Sequence, residues 1–263
     1  MLKIREPAVA GTFYPADPDQ LKQMLMHYLN DASTAGKVPK AIIAPHAGFI
    51  YSGPIAASVY ARLKAAKEVI NQVLLIGPSH RVGFQGLALS TAEQFSTPLG
   101  NIEVDTQSVK QLAEYPFISY LDQAHELEHS LEVHLPFLQT VLKQFSLIPI
   151  VAGDAPADQV CQLLEQFWGK AGTLIVISSD LSHFHDYETA QKLDRETSEI
   201  IEQLQFEKLG SSSACGCVAV RGLLLLARKK GLQIKTIDLR NSGDTAGSED
   251  KNRVVGYGAY VIE

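Results

Sequence analysis

The sequence predicts a three-layer α/β/α domain spanning residues 1–263, with a mixed, largely parallel central sheet. Two observations lead there. The apolar runs Ala41–Ala44, Val73–Ile76 and Thr173–Ile177 are short, uninterrupted and bounded by Gly, Pro and Ser, the pattern of strands covered on both faces. Segments of helical period lie between the runs, so strands and helices alternate along the chain.

The elements follow in order. A turn-rich arm over 8–18 leads through Asp17-Pro18 into a helix over Asp19–Leu29, where apolar residues recur at helical spacing. The strand at 41–44, a helix over Gly53–Leu63 packed by small residues and the strand at 73–76 make a βαβ unit, for which a right-handed crossover is expected. Residues 81–126 read as an excursion of strands with one short helix. From Glu132 the chain predicts a helix, a strand over Ser146–Val151, a helix over Ala157–Trp168 and the strand at 173–177. Helices over Tyr187–Leu204 and Ala219–Lys230 then precede strands near Lys235–Leu239 and Arg253–Ile262.

Composition bounds the function. With 263 residues, 46% of them hydrophobic and 20% charged, the chain can bury a large core without staples. A net charge of −6 with scattered Lys and Arg argues against a nucleic-acid surface. No apolar run of about 18 residues and no signal-like N-terminus is present, so the expected location is cytoplasmic, with no membrane partner. The three cysteines, Cys161, Cys215 and Cys217, have no CxxC spacing, which fits reduced thiols. No low-complexity linker or internal repeat divides the chain.

The chemistry gathers at strand ends. His46 follows the first buried run and His80 the second, while Asp180 and His183 follow the third. In parallel α/β sheets such carboxyl ends face the ligand crevice, so three strands deliver polar groups to one edge and a metal site is the first hypothesis. A lone strand-end imidazole is more often a hydrogen-bonded loop residue; the repetition carries the reading. His129 and Glu132 lie three apart and would share a face if their segment is helical. Tyr14 and Tyr51 could line a pocket, though burial is the commoner role for such rings. Cys215 reads either as a small buried residue or as a site residue.

Taken together, Gly11-Thr12-Phe13-Tyr14-Pro15, Ala44-Pro45-His46-Ala47-Gly48, Gly77-Pro78-Ser79-His80, the run from Glu128 to Pro136, Ser178-Ser179-Asp180-Leu181-Ser182-His183 and Val254-Val255-Gly256-Tyr257 resemble the Memo family almost end to end. Its prokaryotic members are known as the B component of the AmmeMemoRadiSam system, associated with an AMMECR-type protein and a radical SAM protein. The family in turn resembles class III extradiol dioxygenases of the LigB type. The resemblance implies a LigB-like fold and a site in which His46 and His80 bind a metal while His183 and His129 act as acid/base groups. Asp180, Glu132, Cys215 and Tyr14 then surround that pocket. Fe(II) is the implied ion, with Cu or Zn as substitutes and none if the pocket is vestigial.

The third ligand departs from the pattern. The dioxygenases use a C-terminal glutamate and animal Memo proteins a cysteine in the comparable tail, which by counting back from Tyr257 falls on Gly247 or Ser248 here. Asp244, in the turn Ser242-Gly243-Asp244, is the preferred substitute, with Glu249 and Asp250 after it. Three functions stay open: a metal-dependent oxidoreductase acting on a small aromatic or peptide ligand, a non-enzymatic scaffold that keeps the pocket, and a metal-assisted enzyme working with the radical SAM partner.

Overall fold

A computed structural model describes residues 2–245 and 251–263. The N-terminal arm carries strand β1 (Ile4–Arg5) and leads into helix α1 (Pro18–Asp31). Asp17 caps α1 by accepting the Gln20 N–H at 2.9 Å, Pro18 occupies a first-turn position that needs no N–H donor, and Leu21, Leu25 and Leu29 form its buried stripe. Strand β2 (Ala41–Ala44), helix α2 (Phe49–Tyr60) and strand β3 (Gln72–Pro78) form the expected βαβ unit. Helix α2 begins at Phe49, earlier than its small-residue core at Gly53 suggests, because Gly48 ends the loop and Phe49 buries against Tyr14 and Phe137.

The excursion supplies strands β4 (Leu87–Leu89), β5 (Gln94–Thr97) and β6 (Gly100–Glu103), helix α3 (Thr106–Leu112), strand β7 (Ile118–Tyr120) and the short helix α4 (Gln123–Glu126). Helix α5 (Leu135–Val141), strand β8 (Ser146–Ala152), helix α6 (Ala157–Phe167) and strand β9 (Thr173–Ser178) follow. Strand β10 (His183–His185), helices α7 (Tyr187–Glu202) and α8 (Cys217–Lys230), and strands β11 (Ile234–Asn241) and β12 (Val254–Ile262) complete the chain. Gly231, at φ +63°, stops α8 just beyond Arg228, Lys229 and Lys230, whose charges suit the negative end of the helix dipole.

The main sheet runs β10-β12-β2-β9-β3-β8-β4-β7, with β11 also on β12; β1, β5 and β6 make a second, small sheet. Its centre, β2-β9-β3-β8, is parallel, and antiparallel strands flank it. The domain is therefore mixed α/β with a partly parallel sheet. Nearly every residue of the four central strands is buried, which accounts for their unbroken apolar runs. The crossover from β2 to β3 steps across the sheet in one direction and that from β8 to β9 in the other. Right-handed connections then place α2 and α6 on opposite faces. The ends of β2, β9 and β3 lie side by side where the direction reverses, the position at which open α/β sheets form a crevice.

One buried ion pair ties the arm to this edge. Arg5 and Glu132 are both buried and joined side chain to side chain. Arg5 also donates to the carbonyls of His125, at 3.1 Å, and Glu128, at 2.6 Å. Glu132 accepts from the Ala8 and Val9 N–H groups and from the Tyr14 hydroxyl. His129 and Glu132 thus do not share a helix face: His129 lies in an irregular segment, and Glu132 starts a 3₁₀ turn with its carboxylate taken up by the arm. Removing one member of a satisfied buried pair strands the other, so Arg5→Ala is expected to cost about 3–5 kcal/mol. The double variant Arg5→Met/Glu132→Gln, which removes both charges but keeps an oxygen to accept from the arm, should lose less, and urea unfolding of both proteins checks this.

Candidate metal centre

Ser178, at the end of β9, sets the geometry. Its hydroxyl donates to the Ser130 carbonyl at 2.6 Å, which uses its single proton. The two imidazoles on the same oxygen, His46 Nδ1 at 2.6 Å and His134 Nε2 at 2.8 Å, must therefore both donate. His134 closes the chain by accepting from the Tyr60 hydroxyl through Nδ1 at 2.9 Å. With its proton on Nδ1, His46 presents a lone pair on Nε2.

His80 is set in the same way by a carboxylate. Its Nδ1 lies 2.8 Å from Glu128 Oε1, and its backbone N–H donates to Oε2 at 2.6 Å. Burial alone would raise the Glu128 pKa, but the hydrogen bonds from the His80 ring and backbone and from the Ser130 N–H outweigh it and hold the group near 2. The ionised carboxylate keeps the His80 proton on Nδ1 and leaves Nε2 free, the tautomer used in carboxylate–histidine–metal triads.

The third donor is Cys215, just before α8. Its Sγ lies 3.2 Å from His46 Nε2, and one ligand atom each of His46, His80 and Cys215 falls within 4.8 Å of the others. A thiolate and an imidazole on one tetrahedral ion stand about 3.5 Å apart for bonds of about 2.3 and 2.0 Å, so the spacing suits a metal. Burial, then the nearby Asp180 charge, push the Cys215 thiol up, and an ion binding there must displace its proton. Asp180 braces the corner: its Oδ1 accepts the His46 N–H at 2.8 Å, its N–H points at Cys215 Sγ at 3.2 Å, and its Oδ2 lies 3.9 Å from His46 Nε2. Burial lifts its pKa to about 7.

The structure brings His46, His80, His129, Asp180 and Cys215 together. The His129 ring stacks on His80 with centroids 4.5 Å apart and stands edge-on to His46 at 5.5 Å. His183, half-buried on β10, is close enough for its charge to depress His46 and for that of His80 to act on it, although burial is the larger cause for both rings. Asp244 takes no part in either of the two donor groups found among the described residues. It is exposed, accepts the Tyr187 hydroxyl and the Asn241 N–H, and closes the turn in which it sits. Glu249 and Asp250 lie outside the described residues. Tyr14 is buried on Glu132, and Tyr51 is exposed on α2. Of the remaining histidines, His134 is buried on Ser178, His125 is buried against the Ala88 carbonyl, and His185 is exposed on β10.

Sequence reasoning missed Glu128, Ser130, Ser178, His134 and Tyr60 as the groups that fix the rings. A carboxylate directly before His129 was the one available signal. Cys215 also stands in the wall of a cleft of about 620 Å³ bounded by Ser79, Phe84, Asp154 and Cys217, which gives the thiol side a route to solvent.

Burial holds His134 near pKa 3, whereas the unfolded chain takes up that proton near 6.5. Below pH 6.5 the unfolded state then binds more protons, so this contribution to stability is complete above 6.5 and is lost as pH falls toward 3. The raised Asp180 works in the opposite sense between about pH 4 and 7. Comparing wild type with His134→Gln isolates the histidine: calorimetry from pH 7 to 4 should show a smaller drop in Tm for the variant.

A family model described as Memo-like protein matches residues 5–261. A MEMO1 family protein of Aquifex aeolicus is 38% identical, with 97% of this chain and 98% of that one aligned. Family proteins of Archaeoglobus fulgidus and Methanosarcina mazei are each 34% identical, the first over 98% of this chain and 99% of its own, the second over all of both. A match of this extent, over a fold that carries the histidine and cysteine cluster on its sheet edge, shows that the chain belongs to the Memo family.

Proposed function

We propose that the protein is a metal-dependent oxidoreductase in which His46 Nε2, His80 Nε2 and the Cys215 thiolate hold Fe(II) or Cu(I). The observation that carries this reading is the pair of imidazoles locked with their Nε2 lone pairs free beside a cysteine sulfur. A thiolate in place of a carboxylate favours softer ions, and two imidazoles suit iron, copper and zinc alike. A bound ion of this kind would supply Lewis acidity and one-electron chemistry at the crevice.

The chain's own residues supply the rest. Asp180, with a pKa near 7, can hold or release a proton beside His46 at neutral pH. His129 and His183 flank the donor set and can exchange protons with a bound phenol. Ile50, Tyr51, Leu127 and Phe184 are exposed apolar side chains close in sequence to His46, His129 and His183, a candidate surface for a small aromatic or peptide ligand. The same exposed side chains favour a second reading, a binding protein that keeps the metal pocket and docks partners such as the AMMECR-type and radical SAM proteins. Zinc in the same donor set would instead activate water. No helix among the described residues is long and apolar enough to cross a membrane.

Anaerobic titration with Fe(II), Cu(I) and Zn(II) tests the proposal. Wild type should bind one equivalent, and His46→Ala or Cys215→Ala should weaken Cu(I) binding at least 100-fold. Glu128→Gln, which loosens the His80 ring, should weaken it about 10–100-fold. Affinity should rise about tenfold per pH unit as the Cys215 proton is displaced. Cu(I) that binds equally well to Cys215→Ala overturns the donor set. Catechol-dependent oxygen uptake by the loaded protein, absent without the ion, separates the oxidoreductase from the binding protein.

A further inference from the structure

His80 faces a second group of donors on its other side. Ligand atoms of His80, Glu128 and His129 lie within 4.8 Å of one another, and neither His46 nor Cys215 is needed for the set. Glu128 Oε1 is 2.8 Å from His80 Nδ1 and 3.4 Å from His129 Nδ1. Two donors on a tetrahedral ion with bonds of about 2.0–2.1 Å stand roughly 3.3 Å apart, between those two distances. The two rings are stacked with only 21° between their planes, and both Nδ1 atoms approach the same carboxylate oxygen. Phe13 packs on the His129 ring at 4.8 Å and backs it from the N-terminal arm.

The two sets differ in chemistry and compete for one ring. Two imidazoles and a carboxylate suit a harder ion than two imidazoles and a thiolate. An ion on His80 Nδ1 needs the lone pair of that nitrogen, which moves the ring proton to Nε2. Nε2 can then no longer serve the thiolate set. We propose that His80, Glu128 and His129 form a second ion position, selective for a harder divalent cation such as Fe(II) and occupied in alternation with the thiolate set. It rests on the metal-binding reading only through the shared His80.

The test is anaerobic binding to Cys215→Ala, in which the thiolate set is disabled, with Fe(II) for affinity and Co(II) as the spectroscopic probe. One equivalent should bind without a sulfur-to-cobalt charge-transfer band. Adding His129→Ala should loosen Fe(II) at least tenfold, and His129→Gln serves if the alanine variant does not fold by circular dichroism. In wild type carrying one Co(II), one equivalent of Cu(I) should leave a single ion bound. Retention of both ions overturns the alternation, and failure of Cys215→Ala to bind Fe(II), or indifference to His129, overturns the position itself. Loss of Cu(I) binding by wild type with Fe(II) binding by Cys215→Ala intact would instead sink the thiolate reading alone.

Discussion

The Ser178 hydroxyl has one proton to give, and the Ser130 carbonyl takes it. That fixes the direction of every hydrogen bond around it: His46 and His134 must donate, and Tyr60 must donate to His134. A burial that would otherwise leave imidazoles with undefined tautomers here leaves one solution. Low polarity strengthens such a chain when every member is satisfied, and makes each deletion expensive. The crevice inherits its preorganisation from this chain, since His46 can neither rotate nor change tautomer without leaving a buried polar atom unpaired.

The rest of the architecture holds the other groups against that point. The parallel register sets Ala44 beside Ser178, so the loop after β2 carries His46 over the end of β9. The buried Arg5–Glu132 pair draws the arm and the 125–134 segment together through the His125 and Glu128 carbonyls. Glu128 and His129 are thereby held over His80. Cys215 arrives from the far side of β9, its N–H bonded to the Asp180 carbonyl at 3.3 Å, so the strand end and the approach to α8 are tied together.

Much of the fold was legible because buried parallel strands announce themselves as unbroken apolar runs, and because Asp17-Pro18 and Gly231 mark helix ends by local chemistry. The two strand-end histidines, His46 and His80, followed from the same logic. Cys215 and Asp244 show where legibility stops. Both precede or close ordinary local structure, a helix start and a turn, and only the tertiary path decides which one meets the histidines. Glu132 teaches the same lesson: its spacing from His129 has meaning on a helix, and a buried arginine contributed by residue 5 overrides that spacing.

The His46 and Cys215 positions lie 169 residues apart in the chain. On a ribosome adding 5–20 residues per second, the sulfur appears roughly 10–30 seconds after the imidazole. The cluster therefore joins an early and a late part of the chain, and it cannot close until the segment just before α8 has been made.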